Sequence, residues 1–144
     1  MSQQAGTVRD KAPTGAKRRL RAAGVAGAVI AALAVWVVGD PLLGNDLAVE
    51  QGGEVMSIGA GPVGLFALAA SLLGWAFLEL LERFTTRAGL IWSAVALLVL
   101  AASFVPLLAA DASDSTKVVL GLAHLAVGAV LIPVFWRSTQ AAVR

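Results

Sequence analysis

Four long runs of uncharged, mostly apolar residues dominate the pattern along this chain, and short polar segments separate them. The runs have about 17 to 23 residues, so as helices they would extend for about 25 to 35 Å, close to the roughly 30 Å hydrocarbon core of a bilayer. Backbone amides need hydrogen-bond partners inside lipid, and a helix supplies them within one segment. The pattern predicts an all-α fold, a transmembrane four-helix bundle. Its spans are expected at about 20–38, 62–81, 88–110 and 118–136.

The remaining segments predict a simple domain organisation. Residues 1–16 are polar and rich in helix-breaking residues, which predicts a disordered cytoplasmic tail. Residues 17–144 then form one helical membrane domain. The first run follows the basic cluster Lys17–Arg21, as in a cleavable signal peptide, but it is longer than a signal core and lacks a clear cleavage site before Asp40. A retained first span is therefore the favoured interpretation.

Composition supports a membrane protein. Of the 144 residues, 58% are hydrophobic and 14% are charged, and the mean hydropathy is +0.83. Soluble domains average about 45–50% apolar and about 25% charged residues, so this chain lacks the polar residues to cover a soluble surface. It has no cysteine, which excludes disulfides, a thiolate nucleophile and an iron–sulfur site.

Charge predicts how the chain is threaded. Four spans place both termini and the 82–87 link on one side, together with ten of the eleven bases. The other side keeps Lys117 and six of the nine acids: Asp40, Asp46, Glu50, Glu54, Asp111 and Asp114. Since cytoplasmic loops carry the excess of Lys and Arg, both termini are expected in the cytoplasm of a cell whose inner (plasma) membrane holds the protein. Trp36, Trp92 and Trp136 fall at span ends, where an aromatic belt is expected. The bases lie at a membrane surface, so no nucleic-acid partner is expected.

One glycine pattern points to a different class of protein. The stretch Gly59-x-Gly61-x-x-Gly64 has the spacing of a dinucleotide-binding turn, and its words I-G-A-G-P-V-G-L resemble the flavin-dependent oxygenases. Such a turn needs a buried strand before it, an amphipathic helix after it and further βαβ units. Only residues 55–58 are available as a strand, and the following run has no polar face. We therefore expect a loop that leads into the second span and no bound cofactor.

His124 is the most distinctive side chain within a span. An ionisable residue at such a depth indicates a function by default, and Gly121 and Gly128 on the same helical face would let another helix approach. It is interpreted either as a proton-linked or ligand-binding group, or as a neutral imidazole that is hydrogen-bonded to a neighbouring helix. One histidine is too few for a haem or zinc site, so no metal is expected.

Two further polar residues, Glu79 and Ser71, lie in the second span and complete the candidate intramembrane polar site with His124. Glu79 lies four residues before Arg83, which favours an ion pair along the helix, and a proton-carrying acid is the alternative. The external acids do not match a calcium loop and are expected to be solvated. No catalytic residue is predicted.

Small residues at helical spacing predict close contacts between helices. The positions are Gly24, Gly27, Gly64, Gly74, Gly121 and Gly128. They would face inward or toward another copy of the chain.

The four short spans, the acidic first external loop and the final span G-L-A-H-L-A-V-G-A-V-L-I-P resemble an uncharacterised actinobacterial family of small four-span membrane proteins, a domain of unknown function. The resemblance implies no activity. We therefore expect a non-enzymatic membrane or cell-envelope component that acts through helix–helix contacts, with the lipid bilayer and a second copy or another membrane protein as partners. The alternative is a small carrier or redox-accessory protein that uses His124.

Overall fold

Four long helices make up most of the computed structural model, which describes residues 14–140. They are α1 (Thr14–Val37), α2 (Ala60–Phe84), α3 (Ala88–Ala109) and α4 (Asp114–Gln140), and α1 continues as a π-helical turn, Val38–Leu42. All four are long and apolar enough to cross a membrane.

Three of the four helices, α1, α2 and α4, extend beyond the apolar runs that predict them, whereas α3 matches its run to within one residue. α4 begins at Asp114 and ends at Gln140, whereas its apolar run covers 118–136. α1 begins at Thr14, so residues 14–16 of the expected tail form its first turn. The rest of that tail, residues 1–13, lies outside the described residues, as do residues 141–144 and the bases that they contribute to the charge argument.

The helices pack in adjacent pairs. α1 lies against α4 and α2, and α3 lies against the same two helices. Arg21 near the start of α1 contacts Glu82 and Ser138 near the ends of α2 and α4, and α3 follows α2 after a short link, so α1 and α3 begin at the end where α2 and α4 finish. We call this the basic end, and the opposite one the hairpin end. The buried core lies toward the basic end and centres on Leu78, Trp92 and Phe135.

Trp92 is not the belt residue that the sequence suggested. Its side chain is 4% exposed, its ring centroid lies 5.0 Å from that of Phe135, and its Nε1 donates a hydrogen bond to the carbonyl oxygen of Gly74 at 2.8 Å. Gly74 has no side chain, so α2 leaves room there for the indole. The polar edge of the ring is thus satisfied inside the protein rather than at a membrane surface.

A small antiparallel sheet at the hairpin end corrects the all-α prediction. It contains β1 (Ala48–Gln51), β2 (Glu54–Ser57) and β3 (Asp111–Ala112) in the order β2-β1-β3. Gly52 and Gly53 join β1 to β2 with φ angles of 66° and 85°, which a two-residue hairpin turn needs and glycine adopts freely. The strands are too short and too exposed to produce a clear alternation in the sequence.

The structure also tests whether Gly59, Gly61 and Gly64 form a dinucleotide-binding turn. β2 does precede Gly59 and α2, but its strand partner is antiparallel and all four of its residues are exposed. A Cβ at Gly59 or Gly61 would meet nothing within 4 Å, whereas one at Gly64 would lie 3.5 Å from Leu33 of α1. Within residues 14–140 there is no parallel βαβ unit. Gly59 instead precedes α2, Gly61 lies in the first turn of α2 rather than in the expected loop, and Gly64 forms a helix contact.

The six glycines proposed as helix-packing positions all lie against a side chain of a neighbouring helix. Gly24 and Gly27 face Val134 and Val130 of α4, Gly64 faces Leu33 of α1, Gly74 faces Trp92 of α3, and Gly121 and Gly128 face Phe104 and Leu100 of α3. The approach is tightest where a Cβ would lie 2.7 Å from Val134 Cγ1 or 2.9 Å from Leu100 Cδ2. The packing of α1 and α3 against α4 therefore depends on the absence of a side chain.

Candidate functional site

Three helices meet at the basic end around a buried arginine. Arg21 of α1 is 1% exposed, and its Nε donates a hydrogen bond to Ser138 Oγ of α4 at 3.0 Å. One terminal nitrogen of the same guanidinium lies 2.6 Å from Glu82 Oε1 of α2. The planar fork of an arginine can hold two partners in fixed directions. Arg21 therefore ties α1 to both of its neighbours.

A second cation and a second carboxylate complete this group, which we call the ion cluster: Lys17, Arg21, Glu79, Glu82 and Ser138. Lys17 Nζ lies 2.7 Å from the same oxygen of Glu82, and Glu79 Oε1 lies 3.8 Å from the guanidinium of Arg21. Two positive and two negative side chains thus face each other. A buried charge is costly unless it is paired and hydrogen-bonded, and here every charged member has an opposite partner.

Glu79 does not pair with Arg83 as the helical spacing predicted. Its Oε1 accepts a hydrogen bond from Trp75 Nε1 at 2.7 Å, one turn earlier on α2, and faces Arg21 of α1. Arg83 is exposed and forms no ion pair within 4.0 Å of its charged atoms among residues 14–140. The cross-helix partner prevails because Arg21 is buried beside Glu79, whereas Arg83 remains in contact with solvent.

The ion cluster is arranged for holding helices together. Glu82 accepts from Arg21 and is paired with Lys17, Glu79 accepts from Trp75, and Ser138 Oγ itself donates to the carbonyl oxygen of Phe135 at 2.7 Å. A general base or nucleophile needs a free lone pair that points at a substrate. No group of three or more potential metal ligands comes together in the described part of the chain. The geometry therefore supports a structural clamp.

The sequence analysis missed Arg21 because it belongs to the basic run Lys17–Arg21, whose side chains would be expected to be exposed. A signal was nevertheless present: Arg21, Gly24 and Ala28 follow helical spacing, and Gly24 was already predicted to be a helix-packing position. All three are buried. Ser138 lies beyond the last apolar run and carried no comparable signal.

His124 lies on the outside of α4 and not between helices as the structural interpretation expected. Its Nδ1 lies 2.7 Å from the carbonyl oxygen of Leu120, one turn earlier on its own helix, and its ring centroid is 6.4 Å from that of Phe104. Gly121 and Gly128 do admit α3, but its Phe104 and Leu100 fill the space. His124 is left exposed at the edge of this contact.

Ser71 is fully buried and donates to the carbonyl oxygen of Ala67 at 2.6 Å. That bond satisfies the hydroxyl within α2. Ser71 lies eight residues, or about 12 Å of helical rise, from Glu79, and His124 lies fourteen residues from Ser138 toward the hairpin end. The structure therefore does not bring His124, Glu79 and Ser71 together as one site.

An open cleft at the hairpin end gathers some of the external acids. Asp46, Glu50 and Asp111 line it together with Lys117, and the rest of its wall is short or apolar. Lys117 Nζ donates to the carbonyl oxygen of Leu108 at 3.3 Å. The acids are exposed, in keeping with the solvated loop expected from the sequence.

Comparison with known proteins gives a family and no activity. Neither the curated proteins nor the solved structures contain a match to this chain. A family model does match, and it covers residues 12–141, which include all four helices and every member of the ion cluster. The chain therefore belongs to a family of unknown function, DUF6069.

Proposed function

We propose that this protein is a non-enzymatic, multi-pass component of a bacterial inner membrane. Its four helices form a transmembrane bundle with both termini in the cytoplasm, and it acts through helix contacts with a second copy or another membrane protein. The supporting observation is the amount of large apolar surface that the helices leave uncovered.

That surface occurs on every helix. Ile30 of α1, Phe66 of α2, Leu98 of α3 and Leu122 of α4 are each more than half exposed. Monomeric soluble proteins rarely expose contiguous apolar patches larger than a few hundred Å², because each Å² costs about 25 cal/mol in water. A lipid environment removes that cost, and each helix is long enough to cross it.

The proposed orientation rests on the two ends of the molecule. The basic end carries Lys17–Arg21, Arg83, Arg87 and Arg137, whereas the hairpin end carries acids and Lys117. Bacterial membrane proteins retain basic segments in the cytoplasm.

Single-cysteine variants test both insertion and orientation without background, because the chain has no cysteine of its own. Gln51→Cys lies in the exposed hairpin, and Thr86→Cys lies in the exposed link between α2 and α3. A membrane-impermeant maleimide should label the first in intact spheroplasts and the second only after lysis. The reverse pattern would invert the orientation, and recovery of the chain in buffer without detergent would contradict membrane insertion.

The helix contacts are expected to involve α3, since it is the least covered helix. In the most apolar 18-residue segment of each helix, only 6% of α3 is buried inside the protein, against 22–28% for the other three helices. Leu98→Cys on its outer face should form a disulfide-linked species in native membranes under mild oxidation. A species of twice the chain mass would indicate a second copy, and a species of another mass would indicate a different protein with a cysteine at the contact. Leu78→Cys, which is buried, is the matched control. If Leu98→Cys gives only monomer, α3 is in contact with lipid alone.

His124 supports a second candidate function, a small carrier or redox-accessory protein. The bond to Leu120 makes Nδ1 the donor in the neutral ring, so Nε2 is an acceptor, and it has no hydrogen-bond partner among residues 14–140. An exposed acceptor on an apolar helix can accept from a ligand or from a partner protein. Loss of transport or of cofactor binding in His124→Ala, with unchanged assembly, would favour this function. A purified protein without any chromophore would exclude haem and flavin.

A further inference from the structure

The ion cluster separates the charges at the basic end into two groups. Seven bases and two acids of the described chain lie there. Both acids are bound to Lys17 or Arg21. The other five bases are all exposed arginines: Arg18, Arg19, Arg83, Arg87 and Arg137. The surface of this end is therefore almost purely positive, because its carboxylates already have cationic partners.

Four of the five arginines lie in α1, α2 and α4, and the fifth, Arg87, directly precedes α3. Arg18 and Arg19 lie near the start of α1, Arg83 in the last turn of α2 and Arg137 in the last turn of α4. None forms an ion pair within residues 14–140. Within that part of the chain, no carboxylate competes with an external anion for their guanidinium groups.

We propose that the basic end binds the anionic headgroups of membrane phospholipids, of the phosphatidylglycerol and cardiolipin type. An arginine can donate two parallel hydrogen bonds to a phosphate, and several arginines at one surface attract anionic lipids from the leaflet around them. The neighbouring Trp136 is partly exposed, as expected of a side chain that lies at headgroup level. This inference rests on the membrane insertion proposed above, since only then does the basic end lie at a lipid surface.

The test uses the full chain purified in a neutral detergent and titrated with brominated lipids, which quench nearby tryptophans. The wild-type protein should bind brominated phosphatidylglycerol more tightly than brominated phosphatidylcholine, and added salt should weaken the preference. Each arginine near an anionic surface contributes up to about fivefold in binding. Arg18→Gln/Arg19→Gln should therefore lose up to about 25-fold of the preference, and glutamine at all five positions should lower it further, to what the bases outside residues 14–140 contribute.

Two controls separate this inference from loss of fold and from the proposed function. Lys117→Gln at the hairpin end should leave the preference unchanged, and near-UV circular dichroism should show that the arginine variants retain native packing. Equal binding of the two lipids, or a preference that is unchanged by loss of all five arginines, would overturn the inference while membrane insertion stands. Tighter binding of a short RNA than of anionic lipid would overturn it as well. A chain that stays soluble without detergent would instead contradict the proposed function.

Discussion

The two partners of the central ion pair should be unequally costly to remove, because they differ in burial. The side chain of Arg21 is 2% exposed, and that of Glu82 is 22% exposed. In Glu82→Gln the guanidinium keeps Ser138 but loses its close carboxylate, and Glu79 at 3.8 Å is its remaining counter-charge. Removing one partner of a buried pair costs about 3–5 kcal/mol. Since Glu82 is partly exposed, we expect a loss near the lower limit, about 3 kcal/mol.

Arg21→Met removes the buried charge itself and leaves Glu82 paired with Lys17 at 2.7 Å. Its two hydrogen bonds to Ser138 and Glu82 are lost, but so is the cost of burying a guanidinium, so we expect a net loss of about 1.5 kcal/mol. The double variant should cost about as much as Arg21→Met alone, because no uncompensated charge is left inside. The single effects are therefore expected to be strongly non-additive.

The free energy of unfolding can be followed by tryptophan fluorescence in mixed micelles, since Trp75 donates to Glu79 and Trp92 packs against Phe135 in the buried core. Arg83→Gln is the matched control: it removes an exposed arginine at the same end and should change stability by less than about 0.5 kcal/mol. Equal costs for Arg21→Met and Glu82→Gln would refute the argument from burial. Simple additivity in the double variant would refute the coupling.

Two more predictions concern the helix contacts, with stability measured in the same way. Gly24→Ala places a Cβ 2.7 Å from Val134 Cγ1 and should destabilise the protein by about 1–3 kcal/mol. The Cβ of Gly61→Ala meets no atom within 4 Å, so this variant should be neutral or stabilise the protein by up to about 1 kcal/mol. Similar effects at both positions would contradict the tight packing at Gly24. Trp92→Phe keeps one aromatic ring but removes the pyrrole part of the buried indole together with its bond to the Gly74 carbonyl. A cost of more than about 1 kcal/mol is therefore expected, and an unchanged stability would contradict a role for this contact.

The apolar pattern predicted the four long helices well because length and polarity alone determine them. The runs at 62–81 and 118–136 lie inside α2 and α4. The small sheet was not predictable in the same way: β3 has two residues, and it forms only because Glu50 pairs with Asp111 across more than fifty positions of the chain. Such pairing depends on the tertiary structure, so the local alternation of apolar and polar residues along the sequence does not reveal it.

The candidate site was harder to predict than the fold. Glu79 was singled out, but its partner was sought on its own helix, since sequence spacing measures only contacts within one helix. Arg21 and Ser138 are 117 positions apart, and their contact depends on how deeply α1 lies against α4. His124 was located at the correct face for the two glycines, yet Phe104 occupies the space that they leave.

The position of the ion cluster suggests why such polar groups are buried in this protein at all. α2 and α3 are apolar around most of their circumference, and an apolar surface packs almost equally well after a small axial shift. The bonds from Arg21 to Ser138 and Glu82 do not tolerate such a shift, because one helical turn is about 5.4 Å and would separate every pair. In the proposed bilayer arrangement, the cluster lies just before the uncharged run that starts at Ala22, where charges can be buried in protein without entering the centre of the lipid. We therefore infer that it sets the axial register of α1, α2 and α4.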